Sequence, residues 1–137
     1  MSFTHASIQA CRAAIAAQVQ AYRDLVGAAS KASGMSLVRI DAALAAFEPA
    51  FFGNLLVALD ARFAARPRGA GASAEVALLA AALLHHGGVL QRDAAMSDGA
   101  DASVLGIEAG DRVALNADDL ESLAAAFLAQ LDEQAVD

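Results

Sequence analysis

Ile8, Cys11, Ile15, Val19, Tyr22 and Val26 recur at steps of three and four, the spacing that lines up side chains on one face of a helix. Gly27 or Gly34 supplies a natural end to it. The same period resumes at Leu37, Ile40, Leu44 and Phe47 and then meets Pro49. Proline suits the first turn of a helix and disfavours helical geometry in the residue before it, so the pattern predicts a break at Glu48. Phe51, Phe52, Leu55, Leu56, Leu59 and Phe63 continue as a third stripe, which holds most of the aromatic mass and is expected in the core.

The stretch "ARPRGAGAS", 65–73, reads as a linker whose Ser73 caps a helix over 74–86. That helix is apolar nearly all round, so it is expected at the centre of the fold, with Glu75 complementing the dipole of its first turn. Gly87 sits where a left-handed C-terminal cap belongs. A short helix from Val89 to Met96 is expected next, before "SDGADAS" loops away. Two β-prone runs, Val104–Ile107 and Arg112–Leu115, flank the turn-forming "EAGD" and predict a hairpin over 104–115. Asn116 then reads as an N-cap with Asp119 in the reciprocal capping position, and Leu115 is placed to staple against Leu120. Leu120, Leu123, Phe127, Leu128 and Leu131 form the stripe of a final helix. The pattern predicts a mainly α, single-domain bundle spanning 1–137, of about five helices with one short β-hairpin before the last.

Composition changes this picture little. Of the 137 residues, 58% are hydrophobic, but 38 are alanines, so the figure reports helix propensity more than apolar bulk. The longest strongly apolar run, Val76–Leu84, falls far short of the roughly 20 residues a bilayer-spanning helix needs, and no signal peptide is recognisable at the start. A cytoplasmic location and no membrane association are therefore expected, and the single Cys11 fits a reducing compartment.

Charge changes it more. Residues 1–92 carry eight basic and five acidic side chains, a net of +3, whereas residues 93–137 carry one and eleven, a net of −10. Such a chain is poorly matched to the phosphates of nucleic acid or to anionic lipid. Its acidic part, with Asp132 and Glu133 on the final helix, suits a basic segment of a protein partner.

Several motifs resemble chemistry without its context. Neighbouring His85 and His86 point about 100° apart on a helix, whereas shared metal ligands favour spacings of three or four, so they read as a helix terminus. Cys11 lies on an apolar stripe, where a free thiol behaves as a small hydrophobe. "GAGASA" at 69–74 has the glycine spacing of a dinucleotide loop but lacks the preceding strand. Asp98, Asp101 and Asp111 lack the spacing of a calcium loop. Arg62, Arg66 and Arg68 form a small basic cluster before the glycine-rich linker, suited to an anion or to a partner's carboxylates. No catalytic residue, cofactor or metal is expected, because no nucleophile, base and orienting group can be assembled. The favoured reading is a non-enzymatic protein–protein interaction role, as adaptor, chaperone-like or self-associating accessory protein. The alternative is a small-molecule-binding or enzymatic bundle with a site near Arg62, Arg66 and His86.

Overall fold

The structure is a computed structural model and describes residues 3–32, 34–67, 69–91 and 103–136. It is mainly helical, with four helices among the described residues: α1 (His5–Ala29), α2 (Gly34–Arg62), α3 (Ala72–His85) and α4 (Ala117–Gln134). One hydrophobic core draws side chains from all four.

The final helix forms where its side-chain chemistry places it. The Asn116 side chain accepts from the Asp119 amide at 2.8 Å, and the Asp119 carboxylate accepts from the Asn116 amide at 3.2 Å, so two otherwise orphaned donors are satisfied reciprocally. The stripe Leu120, Leu123, Phe127, Leu128 and Leu131 is buried, as are Leu115 and Leu120 at the staple positions. This helix, not the apolar α3, is the centre of the bundle: α4 packs against α1, α2 and α3, whereas α3 packs chiefly on α2 and α4 and leaves Ala77 and Leu84 in solvent. Alanine explains the difference, since an alanine-rich helix looks apolar all round yet gains little by burying every face.

The α1 and α4 helices run antiparallel and are fastened at both ends. Near the chain termini the Val136 amide donates to the Phe3 carbonyl at 3.1 Å, and His5 Nδ1 hydrogen-bonds the Asp132 carboxylate. At the other end Arg23 spans to Asp118 at 2.8 Å and Glu121 at 3.0 Å.

The expected break at Glu48 is absent, and α2 continues through Pro49. Proline forfeits one backbone hydrogen bond there, but contacts from α1 hold the helix on both sides of it. Tyr22 stacks on Phe47 and Phe51, meets Phe52 edge-on at 4.9 Å, and donates its hydroxyl to Glu48. Two predicted helices are therefore one, and the count is four rather than five. The short helix expected from Val89 is likewise not formed over 89–91, and 92–96 lie outside the described residues.

The predicted hairpin over 104–115 does not form. Its second run pairs instead with the segment after α3: the Leu90 amide donates to Asp111, Gly110 to Leu90, and Val113 to Gly88, around a single antiparallel bridge between Val89 and Arg112. The first run is held by Glu75, whose carboxylate accepts from the amides of Val104 and Leu105 and from the Ser103 hydroxyl. A carboxylate on α3 thus takes the donors a hairpin partner would have used. The turn at "EAGD" does form, with Gly110 at φ 92.

The two ends of α3 also separate expectation from outcome. Gly87 adopts φ 62, and the amide of Gly88 then reaches the carbonyl of Ala82, as expected of a helix end. At the start, Gly71 rather than Ser73 is the N-cap. The Ser73 amide is satisfied by Gln130 of α4 at 2.9 Å, and the same side chain donates to the Ala70 carbonyl. A neighbouring helix therefore supplies the cap.

Candidate functional site

Of the arginine cluster, Arg68 lies outside the described residues, and the other two differ sharply. Arg66 is buried and its guanidinium is fully engaged. Nε donates to the Ser73 hydroxyl at 2.8 Å, Nη1 to the carbonyls of Asp60 and Phe63, and Nη2 to the Asp60 carboxylate at 2.6 Å and the Ser73 carbonyl. Those contacts use all five N–H donors of an arginine, and the Phe127 ring lies 4.8 Å from the guanidinium carbon. Arg66 therefore ties the end of α2 to the start of α3 and to α4. Arg62 is exposed beside the Phe63 ring.

His86 does not join these arginines. It follows the last residue of α3, whereas Arg66 holds Ser73 in the first turn, and thirteen residues of helix separate the two by about 20 Å. His85 and His86 are exposed and meet edge-on. Among the described residues no three His, Cys, Asp or Glu side chains are grouped to hold a metal. Cys11 is buried in the core, and burial pushes its thiol above the usual range, with the Arg62 charge drawing it partly back. A thiol so placed is poorly nucleophilic.

Much of the acidic C-terminal part is engaged within the fold. Asp118 and Glu121 hold Arg23, Asp132 holds His5, Asp119 caps its own helix, and Asp111 accepts from the Glu108 amide. Glu133 is exposed on the last turn of α4, and Asp98 and Asp101 lie outside the described residues.

The feature that the sequence did not reveal is at the opposite end of the molecule. Arg23 marks the level at which α4 begins, and Tyr22 marks the level at which α1 meets residues 47–52 of α2. Beyond that level α1 continues to Ala29 and α2 returns from Gly34, and no residue of 34–50 is buried. Leu37, Ile40 and Leu44 are half-buried, while Met35 is 69% and Val38 60% exposed. Leu25, Val26 and Phe47 are exposed as well, so five of the eight large exposed hydrophobic side chains among the described residues lie between 25 and 47. The remaining three, Leu84, Val104 and Val136, are scattered in sequence. Val26 was expected on the apolar stripe of α1; Tyr22 is the last residue of that helix to be buried, and Val26 is exposed among the described residues.

By length and composition α2 is sufficient to cross a membrane, which differs from the expectation drawn from Val76–Leu84. That expectation read the apolar runs on either side of Pro49 as separate. The second half of α2 gives Phe52, Gly53, Leu56 and Leu59 to the protein's own core, so only its first half presents an apolar surface outward.

No protein-family model, curated protein or solved structure matches the chain.

Proposed function

We propose that this protein acts by contact with another protein rather than by catalysis, and that the arm formed by residues 24–32 and 34–46 is the contacting surface. The observation that carries the reading is the concentration of exposed large apolar side chains on that arm, most of all Met35 and Val38. Monomeric soluble proteins seldom expose contiguous apolar patches that no function uses, and singly scattered residues need no such explanation. The arm also contains little charge: Asp24, Lys31, Arg39 and Asp41 are its only ionic residues. Depletion of charge at the centre of an apolar patch is the compositional mark of a protein interface. The acidic surface of α4, with Glu133 exposed, is suited to drawing in a partner with a basic rim, a long-range effect on association rate.

The test is capture by immobilised protein from the native cytosol, comparing the wild type with a Met35→Glu, Val38→Glu double variant. The expected result is loss of every specifically retained protein in the variant while its helical content is unchanged. Equal retention by the two forms would remove the arm from the function.

A further inference from the structure

Local and tertiary preferences oppose each other at Pro49. Proline is favoured at the first position of a helix and disfavours helical geometry in the residue before it, so the chain's own preference is to begin a helix at Pro49 and to leave Glu48 outside. The folded chain carries α2 through instead. The missing proline amide leaves the Ala45 carbonyl without its helical partner, at an exposed residue where water can take it. An element whose local and tertiary preferences disagree has two arrangements closer in free energy than one in which they agree.

The halves on either side of Pro49 are held very differently. From 49 to 62, Phe52, Gly53, Leu56 and Leu59 are buried. From 34 to 48 nothing is buried, and of its apolar side chains Leu44 alone reaches the edge of the core. Its first turn holds no acidic residue to complement the helix dipole. Fifteen residues without a buried face are at the limit of length for a helix that stands alone in water. Among the described residues, the one side-chain hydrogen bond or ion pair that 34–48 makes is with the Tyr22 hydroxyl, through Glu48, beside the stacking of Tyr22 on Phe47. Both ties lie in the last turn before Pro49, where they close the break that the local sequence would make.

We infer that residues 34–48 are an order–disorder switch, melting and re-forming as one unit that stops at Pro49, with the Tyr22–Glu48 contact as its latch. Melting exposes no buried side chain of the segment itself, and it leaves 49–62 as a helix whose first residue is a proline suited to that place. The ordered state presents Met35 and Val38 together on a helix, and the melted state disperses them along a coil. The switch regulates the contact surface proposed above and rests on that reading for its use, whereas the melting itself is a property of the free chain.

Amide hydrogen exchange of the purified full chain, resolved residue by residue by NMR, tests this directly. Amides 38–48 should share one level of protection, at least about tenfold below that of 53–62, with a step across Pro49. Val76→Ala removes a core contact that the melted state keeps, so it should speed exchange over 53–62 and leave 38–48 unchanged. Tyr22→Phe keeps the ring and removes the latch, which is lost in every opening, so it should speed both stretches alike, by about tenfold. Because melting of 34–48 uncovers little surface, its exchange should also respond less steeply to sub-denaturing urea than that of 53–62. Protection that rises smoothly from Gly34 across Pro49 would mean simple fraying and overturn the unit. Equal acceleration of both stretches by Val76→Ala, or equal urea slopes, would mean a single global opening and overturn the switch. Unchanged exchange of 38–48 in Tyr22→Phe would overturn the latch. None of these failures touches the contact surface itself, which is read from capture by the Met35→Glu, Val38→Glu variant.

Discussion

Arg66 and Tyr22 show how single side chains hold elements together here. Arg66 satisfies a carboxylate, three backbone carbonyls and a hydroxyl from one buried position, a geometry that depends on the planar fork of the guanidinium. Arg66→Lys keeps the charge and loses the fork, so it should destabilise the fold by about 2–4 kcal/mol, close to the cost of Arg66→Ala. Chemical denaturation of both variants checks this, and full stability in the lysine variant would mean that charge alone suffices. Tyr22 is the only tyrosine, so its ionisation can be followed by ultraviolet absorbance without ambiguity. Burial, with the hydrogen bond and negative charge of Glu48 adding to it, pushes its hydroxyl from 10 up to about 12. The folded protein therefore binds this proton more tightly than the unfolded chain. The stability so gained is complete below pH 10 and is lost as pH rises from 10 toward 12. Tyr22→Phe should flatten that alkaline loss, and a wild-type tyrosine titrating near pH 10 would contradict the contact with Glu48.

Among the elements, α4 was the most legible, because its boundary is written in local chemistry. Asn116→Ala should cost about 1 kcal/mol through loss of the cap, whereas Ala117→Ser should change stability little. Equal effects in denaturant would misplace the helix start. Where sequence reading failed, a distant residue had displaced a local preference. Pro49 reads as a helix breaker until Tyr22, 27 residues earlier, is seen packed around it. Ser73 reads as a cap until Arg66 and Gln130 are seen to claim its polar atoms. Val104–Ile107 reads as a strand until Glu75 is seen to bind its amides. The arginine cluster shows the same limit: spacing placed Arg66 near Arg62, but burial, which spacing does not report, separates their roles. The histidines at the end of α3 needed no tertiary information. Zinc added in modest excess should leave the melting temperature unchanged, since a metal that binds only the native state must raise it.

At the scale of the whole molecule the chain divides into a fastened body and an uncovered arm. Periodicity located the apolar residues of α2 but gave no sign that its first half contributes only the half-buried Leu44 to the core's edge and no buried residue, because an amphipathic stripe looks the same whether its cover is its own chain or another. The central claim is that Met35 and Val38 do not stabilise the fold. It is tested most directly by the melting temperature of the Met35→Glu, Val38→Glu double variant, measured in dilute solution where association is absent. For a chain of this size 1 kcal/mol corresponds to about 3 °C. Exposed substitutions of this kind change stability by about 0.5 kcal/mol or less each, so the variant should melt within about 3 °C of the wild type. A fall of about 9 °C or more, the effect of forcing carboxylates into a core, would show that the arm is packed against the body and contradict the account.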